Sequence, residues 1–270
     1  MTLGRHGEMT TPPTDPILII RDEGEGLGFP LEPLPEMPFQ RRKKAAKSNM
    51  QTWNMIGSDT ETVGGRLWLF STEKGVWECP TFTHLMNVLY DDNHSRKWKK
   101  GGKRGRTCLN HFFWNLKFDA QAILRTLDPE VADDLTKSRD SEGEIASNKV
   151  TINADTGKYT PHVRGRMVQL SYLEGKSLVI TPKNWFRGAY KLGPCHWWDI
   201  SQFYYKMRLN SAAKAYLNKS KIETCFDGST LDASRFDEED YRDYYREDIE
   251  KYAVYDAVLA GELARMKRND

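Results

Sequence analysis

The sequence predicts a mixed α/β fold, built from an antiparallel three-stranded start, further parallel strands, an inserted β-hairpin and flanking helices. Three observations carry that expectation. Met55 to Thr62, Arg66 to Ser71 and Val76 to Phe82 are short β-prone runs joined by turn residues. Apolar strands at Thr107 to Trp114 and around Trp197-Trp198-Asp199-Ile200 alternate with helical segments, the pattern that gives parallel neighbours. A long helix with acidic residues at its start and basic ones at its end then closes the chain.

Composition narrows the class. At 270 residues the chain can bury a sizeable core, and eight Trp and twelve Tyr supply aromatic mass that a disordered chain lacks. Forty basic against 38 acidic residues leave a net charge of only +2, so nucleic-acid affinity would have to come from local clusters. The four cysteines (Cys79, Cys108, Cys195, Cys225) include no Cys-x-x-Cys pair, which argues against a disulfide framework or zinc knuckle and for a reducing compartment. No apolar run reaches the ~20 residues of a membrane span, and the N-terminus lacks a secretory layout. An intracellular, cytoplasmic protein without membrane contact is expected.

In chain order, residues 1–50 read as a flexible tail rich in Pro and Gly. It contains one short apolar run, Ile17 to Ile20, and ends at the basic Arg41-Arg42-Lys43-Lys44. A single domain is expected over 51–270. Gly64-Gly65 suits a tight turn whose central residues need positive φ, and Glu73-Lys74-Gly75 makes the next turn. Thr83 to Tyr90 reads as a short helix. Arg96 to Arg106 carries seven basic residues, no acidic one and three glycines, and reads as a flexible basic loop. Trp98, Lys99, Lys100, Lys103, Arg104 and Arg106 are its candidates for tracking a nucleic-acid strand, with charge on phosphate and Trp98 on a base. Ala120 to Leu127 reads as a helix, 133–149 as polar loop, and Val150 to Ile152 and Val163 to Ile180 as strands and hairpins. Ser211 to Leu217 reads as a short helix, and Asp237 caps one that continues to Met266.

The chemistry lies in the acids. Asp59 and Glu61 sit one residue apart on the first strand, so both point to one face about 7 Å apart. Paired carboxylates repel, and hard oxygen ligands suit Mg²⁺ or Mn²⁺. Asp119 follows the second apolar strand. Asp256 lies four residues after Tyr252, on the same face of the final helix. The pair Tyr244/Asp248 satisfies the same spacing two turns earlier, but Asp248 lies in a more highly charged stretch. Cys195-His196 lacks a second pair nearby in sequence and reads as buried structure, and His84, His111 and His162 are lone. Trp197-Trp198 reads as core.

Asp59-Thr60-Glu61, Asn115-Leu116-Lys117-Phe118-Asp119 and Tyr252-Ala253-Val254-Tyr255-Asp256 occur in the order that marks the DnaQ-like (DEDD) 3′–5′ exonuclease superfamily, tyrosine subclass, which the chain resembles over roughly residues 54 to 268. A looser likeness links Arg166 to Leu170, Gly175 to Ile180 and Trp198 to Phe203 to the proofreading exonuclease of viral and organellar family-B DNA polymerases. The resemblance implies a ribonuclease-H-like fold and two Mg²⁺ or Mn²⁺ ions. It also implies hydrolysis at the 3′ end of single-stranded nucleic acid, with DNA expected before RNA. Asp59 would bridge the metals, Glu61 and Asp256 would complete the nucleophile's metal site, and Asp119 would act through the second metal's waters. Tyr252 would orient the attacking water, while Asn115 and Lys117 would contact the terminal nucleotide. The partners it implies are that 3′ end and a replicative polymerase or another replication or repair protein, and the gene fits a viral or mobile-element origin. No palm or fingers motif is present, so polymerase activity is not expected of this chain alone, and a free-standing enzyme and a severed module both remain open. The alternative from another class is a non-catalytic nucleic-acid-binding or polymerase-accessory module on the same fold.

Overall fold

The computed structural model describes residues 55–136, 148–159 and 165–269; the tail with Ile17 to Ile20 and Arg41 to Lys44, and His162, lie outside the described residues. Within them the fold is mixed α/β, with a large sheet of parallel and antiparallel strands flanked by helices.

The first three strands, β1 (Met55–Val63), β2 (Arg66–Thr72) and β3 (Gly75–Glu78), form the expected antiparallel meander. Gly64 and Gly65 both take positive φ, 57° and 71°, in the turn between the first two. The third strand stops at Glu78 rather than Phe82, because Thr81 is the N-cap of α1 (Phe82–Leu89) and its hydroxyl accepts the His84 N–H.

The basic run 96–106 is not a loop. It folds as a hairpin of β4 (Ser95–Lys100) and β5 (Lys103–Cys108), turned at Gly101-Gly102 with both residues at positive φ. Seven positive charges do not prevent strand pairing when most of them face water and one glycine accepts an aromatic neighbour. Trp98 pairs opposite Gly105, and a Cβ there would stand 2.3 Å from its indole. The apolar run from Thr107 to Trp114 likewise divides: it leaves β5 at Cys108 and resumes as β6 (Asn110–Phe113) in the large sheet.

Two helices differ from expectation at their ends. Helix α2 (Leu116–Leu124) begins four residues before the expected Ala120, which places Asp119 in its first turn. Helix α3 (Pro129–Thr136) occupies part of the expected polar loop, with Val131 and Leu135 buried on one face. Strands β7 (Asn148–Asn153), β8 (Met167–Leu173) and β9 (Ser177–Lys183) form the second meander. The short β10 (Phe186–Arg187) and β11 (Tyr190–Leu192) precede β12 (Cys195–Asp199).

Among the described residues the large sheet runs β3-β2-β1-β6-β12-β9-β8-β7, and a second runs β10-β11-β5-β4. The neighbours β1/β6 and β6/β12 are parallel, and the remaining pairs of the large sheet are antiparallel. Helix α4 (Leu209–Ala212) passes into a π-helical turn at Ala213–Leu217.

The closing helix is broken in two, as α5 (Glu239–Tyr244) and α6 (Arg246–Asn269). Asp237 does not cap it; its carboxylate instead accepts the Gly64 N–H at 2.6 Å, tying the helix approach to the first turn. Helix α6 lies directly on β1 at Gly57, where an added Cβ would meet Ala257 O at 1.9 Å and Gly261 N at 2.3 Å. Backbone against backbone at that distance fixes the register of α6 over the strand that carries Asp59 and Glu61.

Candidate carboxylate site

Strand alternation puts Gly57, Asp59 and Glu61 on one face of β1, the face α6 covers. Ser58 and Thr60 point to the other face, where Thr60 Oγ1 donates to Asp119 Oδ1 of α2 at 2.8 Å. Asp256 descends from α6. The four acids, from a strand and two helices, line one open cleft of about 930 Å³ together with Asn115, Lys117 and Tyr252.

Their protonation records the crowding. Burial and then the charges of Glu61, Asp119 and Asp256 push Asp59 well above the usual carboxylate range. Burial and Asp256 raise Glu61 to about 8. Burial raises Asp119 to about 7, although the Thr60 hydroxyl works the other way. Asp256 is also raised by burial, while Lys221 holds it down. Moreover, one buried oxygen, Asp256 Oδ1, has no hydrogen-bond partner. The four acids carry hard oxygen donors, the type a divalent cation such as Mg²⁺ takes.

Lys221 is a cleft residue that spacing did not reveal. Its ammonium stands 2.5 Å from Asp256 Oδ2 and donates to the Tyr252 hydroxyl at 2.7 Å. It also lies 4.5 Å from the Tyr252 ring centroid. Burial opposes its charge, but Asp256 and Tyr252 carry it above the ordinary lysine value. Tyr252 itself is raised by burial and the Asp256 charge, so the phenol keeps its proton. Lys221 lies in an irregular stretch, and no helix or strand period relates it to Tyr252 or Asp256. Asp199 is a second such residue: it is buried, and its Oδ1 accepts the N–H groups of Ser201 at 2.8 Å and Asn115 at 3.3 Å. It thereby holds Asn115 in the left-handed region (φ 64°) from which α2 starts.

The other sequence candidates separate. Tyr244 lies on α5 and Asp248 on α6, across the helix break; Asp248 accepts the Phe226 N–H at 3.0 Å, and neither lines the cleft. Lys117 does line it, paired with Glu174 at 2.5 Å. Trp98, Lys99, Lys100, Lys103 and Arg104 are exposed on the β4–β5 hairpin and none of them lines the cleft. Arg106 is a correction: it is buried, gives its guanidinium to Asp92 at 2.6 Å, the Tyr90 carbonyl and the Ser95 hydroxyl, and is not available to a phosphate. Trp197 is fully buried against Phe113, as expected, whereas Trp198 is 39 % exposed.

Comparison with protein-family models, curated proteins and solved structures returns no match. Among the described residues no helix is long and apolar enough to cross a membrane.

Proposed function

We propose that the chain is a metal-dependent 3′–5′ exonuclease of the DnaQ-like superfamily, acting on single-stranded ends, with DNA the first substrate to try. The observation that carries this reading is the convergence of Asp59, Glu61, Asp119 and Asp256 with Tyr252 in one open cleft. The order β3-β2-β1-β6-β12, with β2 antiparallel to its neighbours, supports the finer ribonuclease-H-like assignment.

Asp59, Glu61, Asp119 and Asp256 would hold two Mg²⁺ or Mn²⁺ ions, which when bound would supply positive charge to the attacking water and the leaving 3′-oxygen. The chain's own side chains do the rest. Tyr252, protonated and braced by Lys221, would hydrogen-bond and orient a water beside Asp256. Phe118, 57 % exposed at the cleft wall, offers an apolar face for a terminal base, and Asn115 and Lys117 stand beside it for sugar and phosphate. Lys206 and Arg208 add positive charge to the same wall, along the approach of a strand. A replication or repair protein, a polymerase above all, is the partner such an activity would serve.

Digestion of 3′- and 5′-labelled DNA and RNA oligomers with Mg²⁺, Mn²⁺ or EDTA tests this. Stepwise shortening from the 3′ end that stops in EDTA is the expected result. Shortening that persists in EDTA, or cleavage at internal positions, overturns it. Binding without any cleavage would favour the non-catalytic module.

A further inference from the structure

A second cluster of ligand-type side chains lies on the other face of the same sheet, apart from the carboxylate cleft. Cys108 at the end of β5, His111 on β6 and Cys195 at the start of β12 are all buried, and their donor atoms fall within 4.8 Å of one another. His111 lies beside Ile56 of β1 and Trp197 of β12 in the parallel ladder, so the cluster occupies the middle of the sheet.

The spacing suits one ion. Cys108 Sγ stands 3.5 Å from His111 Nε2, the separation that bonds of about 2.3 Å to sulfur and 2.0 Å to nitrogen give at a tetrahedral centre. The two Sγ atoms are 2.9 Å apart, between the ~2.05 Å of a disulfide and the roughly 3.7 Å of two thiolates on one tetrahedral ion, so loading needs an outward shift of under ~1 Å. The surroundings match those of a metal centre. His111 uses its other nitrogen on Ser58 Oγ at 2.7 Å, which fixes the ring and leaves Nε2 facing the sulfurs. Trp197 Nε1–H donates to Cys195 Sγ at 3.2 Å, which orients that sulfur.

We propose that Cys108, His111 and Cys195 form a buried three-ligand site for a thiophilic d¹⁰ cation, Zn²⁺ in the first instance, with a water completing its tetrahedron. Soft sulfur ligands select such an ion over Mg²⁺ or Mn²⁺, so this site and the carboxylate cleft would sort two classes of metal. Loading releases the thiol protons of Cys108 and Cys195 to solvent, so occupancy falls as pH falls. The ion would clamp β5, β6 and β12 together and, through Ser58, brace the residue next to Asp59.

Co²⁺ titration of the reduced full-length protein reads this directly. Intense visible d–d bands with thiolate-to-cobalt charge transfer, saturating at one equivalent and bleached by Zn²⁺, are expected. Elemental analysis of protein purified with Zn²⁺ should give one zinc per chain, retained in Asp59→Asn and lost in His111→Ala and Cys108→Ala, with circular dichroism reporting whether each variant is folded. Absence of the cobalt bands in folded wild-type protein overturns the site without recourse to any variant. So does an intact mass two hydrogens light with only two of four thiols titratable after denaturation, since that identifies a Cys108–Cys195 disulfide instead.

Discussion

Lys221 Nζ lies 2.5 Å from Asp256 Oδ2 and donates to the hydroxyl of Tyr252 at 2.7 Å, so one ammonium grips both residues that α6 sends into the cleft. In the metal-free protein it offsets part of the repulsion among the four acids. It also lowers the affinity of Asp256 for a proton, against the effect of burial. Lys221→Met keeps the side-chain length and removes the charge. Turnover in the proposed exonuclease reaction should fall at least about tenfold, the size of a single lost charge-assisted bond of ~1.5–3 kcal/mol. The acidic limb of the pH–rate profile should move to higher pH, because Asp256 then deprotonates later. A pH–rate profile unchanged in shape would show that Lys221 does not act through Asp256.

The acid cluster also predicts how stability depends on pH. Glu61 rises from 4.5 to about 8 and Asp119 from 3.8 to about 7, both through burial first. A carboxylate raised in the folded state keeps a proton that the unfolded chain has lost. Its stabilising contribution is therefore complete below about pH 4 and lost as pH rises toward 7 and 8. Metal-free protein should lose several kcal/mol across that window, at roughly 1.4 kcal/mol for each tenfold difference in proton affinity between the folded and unfolded chain, tempered by sharing of protons within the cluster. Mg²⁺ or Mn²⁺ should restore it, and more so at pH 8 than at pH 5. Thermal melts in EDTA and in Mg²⁺ measure this; a Tm difference that does not grow with pH would contradict the arrangement.

Opposite signs on activity and stability follow for the acids themselves. Above about pH 8, where the cluster gives up its protons, Asp59→Asn removes one of four mutually repelling charges while conserving shape. The metal-free Tm should rise by a few degrees, at about 2–4 °C per kcal/mol for a domain of this size, while activity and the Mg²⁺-induced shift are lost. Asp256→Asn should lose activity likewise but without the gain in Tm, because it leaves the partly buried Lys221 ammonium without its carboxylate partner. Asp248→Ala should not: it removes only the acceptor for Phe226 N–H and a distant partner of Lys251, leaving activity within about twofold. Loss of cleavage in Asp248→Ala with Asp256→Asn active would reverse the assignment of the third acid.

Which of these relationships the chain discloses by itself depends on range. Asp59 and Glu61 share a face because strands alternate, and Tyr252 and Asp256 because helices repeat near four residues; both are local rules, and both hold. The approach of Lys221 to Asp256, of Thr60 to Asp119 and of Asp199 to Asn115 is set by packing between elements, which no spacing encodes. The basic run 96–106 misleads for a related reason. Charge and glycine content argue for solvent, whereas Trp98 lying over Gly105 and Arg106 turned onto Asp92 supply the pairing that makes it a hairpin. The break at Tyr245 is equally hidden, since the apolar and acidic pattern runs straight across it. His111 and Cys195 are far apart in sequence, and only the parallel pairing of β6 with β12 makes them neighbours.

Gly57 gives the sharpest test of how the site is held. Its φ is unremarkable; what requires glycine is the approach of α6, whose Ala257 carbonyl would lie 1.9 Å from any Cβ at that position. Both partners are backbone, so no side chain can turn away to make room. Gly57→Ala must push α6 off β1, and with it Tyr252 and Asp256 away from Asp59 and Glu61. Destabilisation of about 3 kcal/mol is expected from overpacking at a rigid contact. Activity should fall by more than the unfolded fraction explains, since displacement of about 1 Å at a catalytic constellation can cost about a hundredfold. The pairing of Glu73 Oε1 with Gly57 N–H and with Arg265, each at 2.7 Å, should weaken in the same variant. Hydrogen exchange at the Gly57 amide, compared with turnover per folded molecule, separates this displacement from simple loss of fold: fast exchange with turnover intact would mean that α6 does not set the spacing of the acids.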